Sequence, residues 1–158
     1  MVVTSANLSA MTDTHGAESP TTSPDDSALA ALRASTVGTL IERMGITLDD
    51  VAPDRVAGSM PVVGNTQPAG LLHGGASVVL AETLGSIAAQ IHAGEGRAAV
   101  GIEINATHHR GVRSGSVHGV ATALHLGRTT ASYEIVVVDD ERRRVCTARL
   151  TCMVLDGR

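Results

Sequence analysis

One carboxylate, Glu82, lies in a stretch that is otherwise almost entirely apolar or small. Residues 67–86 read QPAGLLHGGASVVLAETLGS, and the second half has the composition of a helix that is hydrophobic on nearly all sides. The residues three and four positions away, which share its helix face, are two valines, a glycine and a serine. A buried ionisable group requires a partner or a function. We therefore interpret Glu82 as a buried nucleophile or general base, rather than as a residue on the solvated side of an amphipathic helix.

The tripeptide His73-Gly74-Gly75 opens this helix. A helix N-terminus has free backbone N–H groups and the positive end of the helix dipole, and glycine lets a ligand approach that backbone closely. The segment therefore predicts a place where negative charge developing on an oxygen is stabilised. A plain glycine turn that starts a helix would have the same sequence.

The spacing of these groups has a consequence for assembly. Gly74 and Glu82 are eight residues apart, about 12 Å along a helix axis, so they cannot both contact one reacting carbonyl within one chain. If both act, each site combines Gly74 of one subunit with Glu82 of another, and a two-fold dimer contains two such sites. We therefore expect a homodimer for a complete site, either alone or within a homotetramer.

Composition indicates one globular domain. The chain has 158 residues, of which 43% are hydrophobic and 18% charged. Residues 1–26 are rich in Ser, Thr, Ala and Pro without hydrophobic periodicity, so we predict a disordered tail followed by a domain at 27–158. The net charge of −4 gives no overall basic surface for nucleic acid, so we expect no nucleic-acid partner.

The predicted location is the cytoplasm. No uninterrupted apolar run reaches the roughly 18 residues of a membrane span, and the N-terminus has no basic flank of a secretory signal. Cys146 and Cys152 are six residues apart in one predicted strand, about 20 Å at strand rise, which is too far for a disulfide. They are interpreted as small core residues of a reducing compartment. We expect no membrane partner.

The order of elements predicts an α+β fold. A helix begins near 27 and ends before Gly45, short strands follow at 46–48 and 55–62, and a long apolar helix spans 75–93. Four strands follow at 98–106, 116–126, 129–138 and 145–155. In the first of these, the predicted inward-facing residues alternate with Glu103, Asn105 and Thr107, which is the period of two of a half-buried strand. They are Ala98, Val100, Ile102, Ile104 and Ala106. A single curved antiparallel sheet wrapped around one central helix would explain why that helix is so apolar.

Three segments together carry a resemblance to a known family: QPAGLLHGGASVVLAETLGS, GIEINATHHRGVRSG and ALHLGRT. The sequence resembles the hotdog-fold acyl-CoA thioesterases over roughly residues 39–155. It is most similar to the aromatic-acyl branch, which includes thioesterases of menaquinone and enterobactin synthesis. The resemblance implies the hotdog fold, a dimeric architecture and hydrolysis of an acyl-CoA, in which the acyl group is aromatic. It also implies that Glu82 is the catalytic carboxylate and that the Gly74 N–H polarises the thioester carbonyl.

Other residues receive roles at the reacting centre. Gln67 and His73 match family positions that line it, and Ser86 matches a helix position one turn beyond the carboxylate. Each has a structural alternative: Gln67 holding a turn, His73 capping its own helix, Ser86 filling space. Gly75 belongs to the same helix start and is a candidate for substrate binding.

The CoA phosphates require cations. The candidates lie near predicted strand ends: His108, Arg110, His125 and Arg128. Each alone has the alternative of a solvated surface charge. We expect no cofactor, because CoA is part of the substrate, and no metal, because the histidines lack the spacing of a closed metal site.

Two other functions are compatible with this fold. A hotdog hydratase would pair a catalytic His with an acid in a different motif, and the proline-rich His segment of such enzymes is absent from the sequence. A non-catalytic acyl-CoA sensor would not need Glu82 and would carry a basic DNA-binding helix pair ahead of the domain, where this chain has an acidic, Ser/Thr-rich segment.

Overall fold

The structure, a computed structural model, describes residues 24–156. Most of the predicted tail at 1–26 lies outside the described residues, so that assignment stays a prediction. The described chain contains these elements in order: α1 (Pro24–Ser35), α2 (Leu40–Arg43), β1 (Thr47–Val51), β2 (Arg55–Pro61), α3 (Gly74–Ala93), β3 (Arg97–His108), β4 (Ser116–Leu126), β5 (Thr130–Asp139) and β6 (Arg144–Asp156).

The strands form one antiparallel sheet in the order β1-β2-β4-β5-β6-β3. The inner face of this sheet packs against α3, which makes contacts with β2, β3, β4, β5 and β6. The predicted α+β architecture, a curved antiparallel sheet around one central helix, is confirmed.

Glycines allow α3 to approach the sheet closely. Gly58 of β2 and Gly119 of β4 are register partners, and Leu84 of α3 lies against both. A Cβ at Gly119 would lie 2.6 Å from a methyl carbon of Leu84, and a Cβ at Gly85 would lie 2.6 Å from Leu150. Since such contacts are shorter than van der Waals distance, the helix sits at a depth that only glycine permits.

By length and composition α3 meets the criterion for a membrane-spanning helix. Its apolar residues are explained by the core, however, because nine of its twenty residues are buried within the domain. The sheet around α3 accounts for its hydrophobicity.

The first predicted helix is instead two helices. α1 ends at Ser35 and α2 begins at Leu40. Hydroxyls of Ser35 and Thr36 donate to the carbonyls of the preceding turn, and Gly38 adopts a left-handed conformation with φ of 77°. The side-chain bonds and the left-handed glycine end the helical ladder where hydrophobic periodicity alone predicted continuation.

The predicted alternation in β3 is wrong over its first half. Val100 and Ile102 are 42% and 53% exposed. A bulge between Gly101 and Glu103 changes the phase of the strand, so that Ala99 and Gly101 pair opposite buried residues before it and Ile104 does so after it. A constant period of two therefore assigned the wrong face to the residues before the bulge.

The two cysteines are confirmed as free and buried. Burial raises the pKa of both the Cys146 and the Cys152 thiol, and the charge of Glu82 adds to the increase at Cys152. Both therefore remain neutral thiols near pH 7.

Tyr133, the only tyrosine of the chain, predicts a loss of stability at alkaline pH. It is fully buried, and its hydroxyl donates to the Pro53 carbonyl at 2.9 Å. Burial, with smaller contributions from Cys152 and Asp54, raises its pKa from 10.0 to about 12. Because the folded-state pKa is raised, this contribution to the free energy of unfolding is complete below pH 10.0 and is lost as the pH rises through about 12. The loss amounts to about 2–3 kcal/mol.

The measurement is denaturant unfolding across this pH range, with tyrosinate absorbance reporting ionisation directly because the chain has no tryptophan. Tyr133→Phe is the control: it should lose about 1 kcal/mol at neutral pH with the hydrogen bond. Its remaining alkaline dependence should be that of the two thiols. An unchanged alkaline slope in this variant would contradict the assignment.

Candidate active site

The site begins where the loop before α3 meets the helix. Asn65 organises this loop. Its side-chain amide donates to the main-chain carbonyls of Met44 and Pro61 at 2.8 and 2.9 Å. Its main-chain carbonyl accepts from the His73 N–H at 2.9 Å. The Gln67 backbone closes a turn with Leu71 and Gly70. The Asn65 side chain thus ties the end of α2 to the end of β2, and the Asn65 main chain holds the start of α3 beside them.

His73 is the N-cap of α3. Its ring Nδ1 accepts a hydrogen bond from the Gly75 N–H at 2.9 Å, so the capping alternative considered for His73 is realised. An accepting Nδ1 places the proton of the neutral ring on Nε2, which remains available to a ligand. The Gly75 N–H is occupied by this cap and is therefore not free for substrate.

Gly74 opens into a cavity of about 350 Å³, which we call the Gly74 cavity. It is lined by Gln67, Gly74, Ser77, His108 and Arg110, together with Leu71, Leu72, His109, Gly111 and Val145. Four of the residues predicted for the site therefore line one cavity: Gln67, Gly74, His108 and Arg110. His108 packs directly on the glycine, because a Cβ at Gly74 would lie 2.9 Å from Nε2 of His108.

Ser77 was missed by the sequence reasoning. It lies one turn after Gly74 on the same helix face, is 2% exposed, and lines the Gly74 cavity. The spacing of three from Gly74 was the signal that could have found it.

Glu82 lines a different space, which we call the Glu82 cavity. This cavity also measures about 350 Å³ and is lined by Leu40, Ile41, Val79, Glu82, Thr83, Ser86 and Ile87. The predicted site residue Ser86 is therefore beside Glu82, one turn further along α3. Glu82 is the only ionisable residue of this lining.

The expectation that Glu82 is buried is wrong for the single chain, in which it is exposed. Its Oε1 lies 3.8 Å from where a Cβ of Gly101 would be, so the carboxylate reaches the bulge of β3. Because β3 is an edge strand, no further strand of the described chain covers this side. The residues of α3 around Glu82 are mostly apolar, but the sheet covers only part of the helix surface there.

His125 and Arg128 are not brought to either cavity within one chain. The Arg128 carbonyl accepts from the Arg97 side chain, which places the β4–β5 turn at the Arg97 end of β3. His108 lies at the other end of that twelve-residue strand, about 36 Å away at strand rise. The two predicted groups of cations therefore lie at opposite ends of the sheet.

Within the described residues, no cluster of three or more His, Cys, Asp or Glu side chains has the arrangement of a metal site. The ionisable groups of the Gly74 cavity are His108, His109 and Arg110, and His109 is engaged with the Thr147 hydroxyl at 3.0 Å. The chemistry available is that of backbone donors, a cationic rim and one carboxylate in a separate cavity.

Comparison with known proteins shows the family to which the chain belongs. Residues 69–146 match the thioesterase superfamily. The chain is similar to the proofreading thioesterase EntH of Cronobacter sakazakii, at 49% identity over 128 residues, and to EntH of Klebsiella pneumoniae, at 52% over 128 residues. Each alignment covers 80% of this chain and 93% of the relative. The chain belongs to the thioesterase superfamily.

Solved structures of thioesterases agree with this assignment. Thioesterase HI1161 of Haemophilus influenzae is 39% identical, with a TM-score of 0.78, over 81% of this chain and 90% of that one. A variant of thioesterase PA1618 of Pseudomonas aeruginosa is 44% identical, with a TM-score of 0.78, over 81% of this chain and 94% of that one. The hotdog fold and the assignment as a thioesterase enzyme are confirmed.

Proposed function

We propose that this thioesterase hydrolyses acyl-CoA thioesters, with aromatic acyl groups as the preferred class, at sites shared between two subunits. The observation that carries the proposal is the separation of the two candidate catalytic groups. Gly74 and Glu82 line different cavities of one helix, about 12 Å apart along its axis. A thioester carbonyl that meets both groups must therefore lie between two copies of the chain.

The edge of the sheet supports this arrangement. β3 has twelve residues, and only one of its sides pairs with another strand of the described chain. Val100 and Ile102 are exposed there, beside the Gly101 backbone that Glu82 approaches. Long, partly apolar edge strands are sites of strand pairing with another chain. Two-fold pairing through β3 would cover Glu82 and bring a partner's cavity to it.

The chemical step needs a nucleophile or base and a donor to the oxyanion. The Glu82 carboxylate attacks the thioester carbonyl carbon, or takes a proton from the water that does so. The Gly74 N–H of the other subunit stabilises the oxygen of the tetrahedral intermediate. The C–S bond then breaks, and CoA leaves as a thiolate that takes up a proton. Water hydrolyses the acyl-glutamate anhydride if the attack was direct.

The remaining residues take supporting roles in this proposal. His73 Nε2 and the Gln67 amide are donors near the carbonyl and the leaving sulfur, and Ser86 orients water or substrate beside the carboxylate. Arg110 gives the Gly74 cavity a positive charge for the CoA phosphates, and His108 gives it a ring nitrogen that can hydrogen-bond them. Arg128 and His125 have the same two roles from the other subunit. The two buried free cysteines favour a reducing compartment, which supports the cytoplasm as the place of action.

The test is thiol release from a panel of acyl-CoAs: acetyl, hexanoyl, lauroyl, benzoyl and 2-naphthoyl. We expect turnover with several members and the highest kcat/KM with the aromatic ones. Turnover confined to aliphatic esters would overturn the aromatic preference alone. Binding of the esters without any turnover would overturn the hydrolase and favour the acyl-CoA sensor.

A further inference from the structure

An exposed leucine lies at the wall of the Glu82 cavity. Leu40, the first residue of α2, is 55% exposed although its neighbour Ile41 packs against the core. Both side chains line the cavity, and Val79 and Ile87 of α3 line it as well. A large aliphatic side chain that lines a cavity but is not itself covered is available to a ligand that enters the cavity.

α2 is held in place by contacts that do not use Leu40. Ile46 N–H donates to the Ile41 carbonyl at 3.0 Å, and Asn65 donates to the Met44 carbonyl at 2.8 Å just beyond the helix. At the other end, the Gly38 N–H donates to the Glu42 carboxylate at 2.6 Å. The position of the α2 backbone is therefore fixed by its ends and by Ile41, whereas substitution of Leu40 leaves those contacts intact.

The position of Glu82 decides what enters this cavity. In the proposed reaction the carboxylate acts at the thioester carbonyl carbon, and the acyl substituent is attached to that same carbon. Since CoA is bound from the cationic Gly74 cavity, the acyl group is directed into the Glu82 cavity. Apart from Glu82, the lining there is four aliphatic side chains and the small hydroxyls of Thr83 and Ser86. Such a lining suits an apolar group.

We propose that α2 forms one wall of the acyl-binding pocket and that Leu40 determines the size of the acyl group that the enzyme accepts. This inference rests on the proposed function. A pocket discriminates apolar substrates mainly by the space that it offers, with each methylene worth about 10–200-fold in kcat/KM at most. Because Leu40 is exposed, a larger or a smaller side chain can replace it without disturbing the core.

The test is kcat/KM for the same acyl-CoA panel with Leu40→Ala and Leu40→Phe. Leu40→Ala should raise the ratio of 2-naphthoyl-CoA to benzoyl-CoA by about tenfold or more, and Leu40→Phe should lower it. Val37→Ala is the matched control. Val37 lies three residues before Leu40, between α1 and α2, and is 70% exposed, but it does not line the Glu82 cavity. The ratio of the two kcat/KM values in this variant should therefore stay at the native value.

Several outcomes would overturn the inference. Equal changes for all substrates, or an equal shift in Val37→Ala, would show that Leu40 does not select the acyl group. A change in oligomeric state by light scattering, without a change in selectivity, would show that a partner subunit covers Leu40. In these cases the proposed function stands, because native turnover persists. Absence of turnover in the native enzyme would overturn both the proposed function and the role of Leu40.

Discussion

Glu82→Gln is expected to lower kcat for thioester hydrolysis by about 10²–10⁴-fold. Glutamine has the shape of glutamate and can occupy the same place in the Glu82 cavity, near Gly101, but it is neither a nucleophile nor a base. Because the group acts in the chemical step, KM should change much less than kcat. The measurement is thiol release with the best substrate of the panel.

The control for this variant is Glu95→Gln. Glu95 is an exposed carboxylate just after α3 and lines neither cavity, so its removal should leave kcat unchanged. Thermal unfolding of both variants separates loss of chemistry from loss of structure. Comparable turnover in native enzyme and Glu82→Gln would remove Glu82 from the mechanism, even though the family assignment would remain.

The sequence predicted most of the fold because its long elements have strong periodic signals. The apolar α3 and the last three strands were found nearly at their observed bounds, and Gly94 with φ of 78° ends α3 as predicted. The enclosure of α3 by a sheet follows from the same facts, since a helix without a polar face must be buried on most sides.

The errors arose where a local backbone event interrupts a period. A one-residue bulge at Ile102 reversed the faces of β3, and Gly38 with two hydroxyl side chains divided the first helix. Neither event changes the hydrophobic pattern enough to be read from it. The division of that helix has a functional consequence, because it creates α2 and so places Leu40 beside Glu82.

The candidate site was predicted only in part, for a physical reason. Gln67 and Gly74 from the segment before and at the start of α3, and His108 and Arg110 from the second family-like segment, line one cavity, whereas His73 does not line it. The burial of Glu82 could not be judged from its helix, because exposure depends on whether the sheet or a second subunit covers it. Ser77 was missed because a lone serine on an apolar helix has no distinguishing pattern in sequence.

Gly74→Val is expected to lower kcat by about 10²–10³-fold on its own. A Cβ at this position would already lie 2.9 Å from the His108 ring. In the proposed mechanism the branched side chain would also cover the N–H that binds the thioester oxygen. Loss of one oxyanion donor costs about 10²–10³-fold in kcat. His108 can move aside at the cavity wall, so we expect the fold to persist, which circular dichroism and thermal unfolding check.

The direct test of the shared site combines these two variants in one dimer. Two differently tagged chains are co-expressed, and heterodimers are purified through both tags. A dimer of Gly74→Val with Glu82→Gln contains one intact pair, with Gly74 from one chain and Glu82 from the other. It should recover about half of native kcat, because one of its two sites is complete. Each variant homodimer, purified in the same way, should remain inactive.

The matched control reverses the arrangement. A heterodimer of native chain with the Gly74→Val, Glu82→Gln double variant has the same composition of substituted residues, but neither of its shared sites is complete. The account predicts turnover in the first heterodimer and almost none in the second. The opposite result, an inactive first heterodimer and a half-active second one, would show that Gly74 and Glu82 act within a single chain and would contradict the account.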